Sequence, residues 1–106
     1  MSITKTLDLG FIAVTRGVHN VALEYRPFHK WVLACINRHS QFDWGDTNDV
    51  DAKSNTASIE DGSRVLSVYN VPSDLCKVSD KIWIITEAQQ ESGKREYTTV
   101  LFPSEY

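Results

Sequence analysis

Four aspartates, Asp43, Asp46, Asp49 and Asp51, stand two or three residues apart in the stretch NRHSQFDWGDTNDVDAKSN, with Trp44 among them. Carboxylates at such spacing can hold a cation, imitate a phosphate backbone, or sit at the positive end of a helix dipole. The calcium option is tested by counting. Asp49, Asp51 and Glu60 fall at positions 1, 3 and 12 of an EF-hand loop, but position 5 is Lys53 and position 6 is Ser54, where the sharp turn requires glycine. Zinc has only His19, His29, His39, Cys35 and Cys76 to draw on, and none form a paired-ligand motif. A nuclease strand ending in Glu-x-Lys is missing too, because Glu87 is followed by Ala88 and Gln89. No glycine-rich phosphate loop is present, and three scattered histidines do not make a nucleophilic triad. What remains of catalysis is one alternative, a small metal-dependent enzyme built from Asp43, Asp46, His39 and Glu87.

Trp44 has two readings. It folds back to close one end of the core, its indole N–H bonded to a backbone carbonyl, or it projects as an interface anchor beside Asp43 and Asp46. The charge distribution favours some surface role for the acids. Residues 41–61 carry six acids against Lys53 alone, a local charge of −5 in a chain of net charge −3. A solvated helix face accounts for such a run, and so does an acidic binding face. No basic stripe is present, so direct nucleic-acid binding is not expected.

The elements that must position these residues follow from periodicity. GFIAVTRGV reads as a short strand ending in a turn at Arg16-Gly17, and Val18, Val21, Ala22 and Tyr25 then fall at helical spacing. After Pro27, residues Phe28, Trp31, Val32, Cys35 and Ile36 line one face of a longer helix, on which Cys35 is a small buried apolar group. Asn48 or Asp49 caps a third helix with acids in its first turn, and Gly62 ends it. Strands are expected over SRVLSVYNV, KIWIITEA (the most apolar and hence central) and YTTVLFP, joined by a loop and by a hairpin with Gly93 at its tip.

The 106 residues therefore predict one α+β domain spanning 1–106, with two to three N-terminal helices on a C-terminal three- to four-stranded antiparallel meander. Helices can cover only one sheet face; the N-terminal strand, a loop or a partner must cover the other. Two cysteines make no disulfide framework, MSITKTLDLG has no apolar leader core, and no apolar run reaches membrane length, so a cytoplasmic, reduced protein is expected.

INRHSQFDWGD, DAKSN, GSRVLSVYNVP, KIWIITEA and TTVLFPSEY, in this order and with AVTRGV near the start, resemble a family of small bacterial proteins carried on plasmids, prophages and integrative elements. The likeness covers about residues 38–106. It departs where the family has glycine and this chain has Phe42, and in the longer VPSDLCKVSD and QQESGKREY connections. The resemblance implies a mobile-element setting and supplies no catalytic residue. The resulting expectation is a non-catalytic protein-binding accessory factor, as monomer or homodimer, without cofactor or metal. Its narrower form is an inhibitor of host defence, anti-restriction or anti-CRISPR, acting through Asp43, Trp44, Asp46, Asp49 and Asp51.

Overall fold

The computed structural model describes residues 6–106; the first residues of the stretch read as lacking a leader lie outside it. Strand β1 (Phe11–Val14) leads into α1 (Arg16–Glu24) and α2 (Arg26–Ser40); α3 (Asp49–Asp61) follows, then β2 (Val65–Asn70), β3 (Lys81–Thr86), β4 (Tyr97–Leu101) and a closing 3-10 turn, Pro103–Glu105. The α+β class and the β2–β3–β4 meander are as the sequence predicts. The fourth strand differs: the sheet order is β1-β4-β3-β2, and β1 pairs parallel to β4. The N-terminal strand thus extends the sheet and does not cover its second face.

Arg16 and Gly17 open α1 and do not form the expected turn, because the far end of the chain completes the helix terminus. Thr15 occupies the cap position without a capping bond of its own. Instead the Glu105 carboxylate accepts from the Gly17 N–H at 2.9 Å and from the Thr15 hydroxyl at 2.5 Å. An anion there satisfies an orphan N–H and faces the positive end of the dipole. Burial raises the Glu105 carboxyl, but the bonds from Thr15, Gly17 and Phe102 outweigh it and hold the group below its ordinary value.

α2 buries the predicted stripe. Phe28, Val32 and Cys35 pack with Val18, Tyr69, Ile82, Ile84, Val100 and Phe102, so α1 and α2 lie on one face of the sheet. A smaller cluster of Leu7, Trp44 and Val65 continues this core toward α3. α3 is weakly amphipathic, and its ends are instead fixed by caps. Asn48 and Asp51 exchange bonds at 2.8 and 3.0 Å, and Gly62 closes the helix at φ 81°. No helix among the described residues is long and apolar enough to cross a membrane.

Candidate functional site

Trp44 points inward. It is 8% exposed, its ring meets His39 and Phe42 edge-on at 5.8 and 6.0 Å, and its indole N–H reaches the Thr56 hydroxyl at 3.3 Å. The expected partner was a backbone carbonyl; the side chain of α3 takes that place. The reading of Trp44 as an exposed interface anchor is therefore corrected. The ring bridges α2, at His39, and α3, at Thr56.

Asp43 and Asp46 are also turned to internal use. The Asp43 carboxylate binds Arg38 at 2.7 and 3.3 Å and caps the Gly45 N–H at 3.0 Å. The Arg38 hydrogen bond is the main reason its carboxyl lies below the usual aspartate value. Asp46 serves the outer edge of β2: its N–H donates to the Val68 carbonyl at 2.6 Å, and its carboxylate accepts from the Asn70 N–H at 2.8 Å. Thr47 accepts from the Val68 N–H at 3.0 Å. Nearly two turns into α3, Asn55 completes the row, its amide giving to the Leu66 carbonyl at 2.7 Å and taking from the Leu66 N–H at 3.1 Å. Asp46, Thr47 and Asn55 together mimic a fifth strand and blunt an edge that would otherwise recruit another chain. Gly45 permits the approach. It sits at φ 66°, and a Cβ there would collide with the Val68 carbonyl and the Tyr69 ring. Phe42 carries φ 66° as well, a left-handed backbone conformation that favours glycine.

Asp49 and Asp51 remain on the exposed side of α3, and only Asp51 borders another feature. It lines, with Ser54, Asn55, Arg64 and Leu66, a groove of about 230 Å³ beside β2. The four residues of the enzyme alternative are not assembled. Asp46 lies at the Asn70 end of β2 and Glu87 at the opposite end, 3.8 Å from Arg64. Among the described residues, no group of three His, Cys, Asp or Glu side chains could hold a metal ion.

His39 is fully buried, and both its nitrogens are occupied by Ser67 at 2.6 Å and Thr86 at 2.8 Å. The proton order along this chain is fixed from its far end. Thr98 spends its single hydroxyl proton on the Leu9 carbonyl at 2.7 Å, so Thr86 must donate to Thr98 at 2.8 Å. Thr86 then accepts from the His39 Nε2–H, and Ser67 donates to Nδ1. The imidazole is neutral: burial, and then the field of Arg95, push its pKa down to about 4. A nucleophile-like Ser-His pair with 0% exposure has no access to substrate. It is a polar rivet through the core.

Arg95 is a second internal device that the sequence reading missed. It is 4% exposed and gives its guanidinium to the carbonyls of Ser58, Ser63 and Glu87 at 2.7 to 3.1 Å. One cation thus collects the C-terminal end of α3 and the β3–β4 connection. The sequence held a faint signal for Asn55, an amide inside a helix where propensity disfavours it, but none for Arg95.

The sheet face opposite α2 is where unassigned apolar surface gathers. Strand alternation puts Leu66, Val68, Trp83, Ile85, Thr99 and Leu101 there, with Phe11 and Tyr97 at the β1 side. Tyr106 folds over part of it, meeting Trp83 edge-on at 5.6 Å and taking a hydrogen bond from Arg64 at 3.0 Å. Phe11 is nevertheless 82% and Tyr97 42% exposed. Compared with protein-family models, curated proteins and solved structures, the chain matches none of them.

Proposed function

We propose that this chain is a non-catalytic protein-binding factor whose contact surface is the second face of its sheet. The observation that carries the reading is Phe11 and Tyr97, two exposed aromatic side chains on the same sheet face as half-buried Leu66, Val68 and Trp83, a face over which no helix core is built. Aromatic residues left in water on a flat apolar face are the composition of an interface core. Arg64 and Asp51 at the rim supply charges of both signs. The mobile-element accessory role, with inhibition of a host defence system as its narrower form, is proposed on the sequence resemblance alone. Its acidic-mimic mechanism is left with Asp49 and Asp51, since Asp43 and Asp46 are committed within the fold.

The test is affinity capture from a host lysate with three proteins in parallel: wild type, Phe11→Ser/Tyr97→Ser, and Asp49→Asn/Asp51→Asn. A partner lost only by the first variant supports the face. One lost only by the second moves the contact to the acidic helix. One retained by both, or no partner at all, overturns the reading.

A further inference from the structure

The two edges of the sheet are treated in opposite ways. Along β2, Asp46, Thr47 and Asn55 satisfy the outward backbone groups of Leu66, Val68 and Asn70. Along β1, no described residue does so. Phe11 and Thr15 donate their N–H groups to Glu96 and Val100 of the β4 side. Parallel pairing alternates, so Ala13 also faces β4 while Ile12 and Val14 turn their N–H and C=O groups outward. This edge lacks the charges and prolines that commonly defend one, and all four residues of Phe11–Val14 are exposed.

We propose that a second copy of this chain occupies the edge, β1 against β1 in antiparallel register about Ala13, so that two four-stranded sheets become one. This is independent of the partner reading above, because it uses the strand's edge and not the sheet face. The strand is complementary to itself in that register. Ile12 of one copy lies opposite Val14 of the other, each pair exchanging both backbone bonds, and their β-branched side chains meet on the helix side. Ala13 meets its own copy at the close-approach position, where a small side chain fits. Charge agrees with the orientation. Arg16, which makes no salt bridge to a described residue, follows β1, while Asp8 precedes it and Glu96 lies beside its first residue. Antiparallel pairing brings each Arg16 to the partner's acidic end, and because the pairing uses the β1 edge of both copies while β2 is covered, the assembly closes at two copies. A contact between two four-residue strands falls short of the about 800 Å² per partner of a standard interface, so the dimer is weak and concentration-dependent.

The experiment is backbone-amide hydrogen exchange by NMR at about 20 µM and about 1 mM, with sedimentation velocity at both concentrations. Sedimentation is expected to move from monomer toward dimer. The Ile12 and Val14 amides should gain at least about tenfold protection at the higher concentration, while Phe11, Ala13 and Thr15 stay protected at both. Val14→Lys, at an exposed position with no internal backbone bond, should abolish the shift with the rest of the spectrum unchanged. Arg16→Glu should reduce the dimer fraction, and an unchanged fraction would overturn the antiparallel register. A monomer at about 1 mM, a dimer whose Ile12 and Val14 amides exchange freely, or a dimer that survives Val14→Lys would overturn the pairing itself.

Discussion

Acidification should weaken this fold through His39 before it touches any carboxylate. In the unfolded chain the imidazole titrates near 6.5, while in the folded core its pKa is about 4. Between those values the unfolded state binds a proton that the folded state refuses, so stability is full above 6.5 and falls as pH drops toward 4. At about 1.4 kcal/mol per unit, the whole shift corresponds to about 3 kcal/mol, of which about 2 kcal/mol is lost by pH 5. Against a total of roughly 5–15 kcal/mol for a domain, that is readily measured. Asp43, Asp61 and Glu105, whose carboxyls the fold holds down, act in the same direction. Their losses begin only as pH falls through their ordinary values of 3.8, 3.8 and 4.5, so the interval from about pH 7 to 5 isolates the histidine. The assay is urea unfolding followed by tryptophan fluorescence across that interval, for wild type and His39→Gln. The variant keeps an amide able to accept from Ser67 and donate to Thr86 but has nothing to titrate. Its stability should be lower at neutral pH and nearly flat with pH. Parallel slopes for the two proteins, or a folded-state His39 resonance titrating near 6.5, would refute the assignment of a neutral, buried rivet.

The other internal devices give equally direct outcomes. Trp44→Ala removes the ring that joins α2 to α3 and should cost about 3–5 kcal/mol in chemical unfolding, whereas Asp49→Asn should stay within about 0.5 kcal/mol. Asp46→Ala should cost about 1–2 kcal/mol and, unlike Asp49→Asn, should raise aggregation in light scattering, because it strips cover from the β2 edge. Burial pushes the Cys35 thiol up to about 12, so in the native protein iodoacetamide should label Cys76 and leave Cys35 intact until unfolding. Glu105→Ala, by removing the anion from the start of α1, should destabilise the fold by about 1 kcal/mol, and Glu105→Gln should recover only part of it.

The sequence disclosed the elements that local rules govern. The stripe of Phe28, Val32 and Cys35, the Asn48 cap and the Gly62 stop all lie within a few residues of the features they create. It disclosed far less wherever a residue acts at long range. Glu105 caps a helix 88 positions away in the chain. Arg95 binds a carbonyl 37 positions away, and Thr98 one 89 away. No periodicity announces such contacts. The acids misled for a related reason: an aspartate that shields a strand edge and one that solvates a helix look alike until the strand is placed beside them. Phe11–Val14 was legible as a strand, but its parallel partner lies across the whole helical segment and left no local trace.

The stretches that prompted the family resemblance acquire an internal purpose one by one. In Asp-Trp-Gly-Asp, the first aspartate caps its own turn, the tryptophan fills the core, the glycine permits close approach, and the second aspartate covers β2. In Pro-Ser-Glu-Tyr, the glutamate completes α1 and the tyrosine clips Arg64 and Trp83. Motifs that close a fold specify the scaffold and leave its partner unspecified, since their acidic and aromatic side chains are already engaged within it. Recognition is therefore to be sought where side chains have no internal partner. In this chain the β1 edge at Ile12 and Val14 and the exposed rings of Phe11 and Tyr97 beside it are such positions, and Leu23, Val50 and Val78 are others on separate elements. A protein that spends Asp46, Thr47 and Asn55 on one strand edge, and none of its described residues on the other, treats the second edge as a surface to be used.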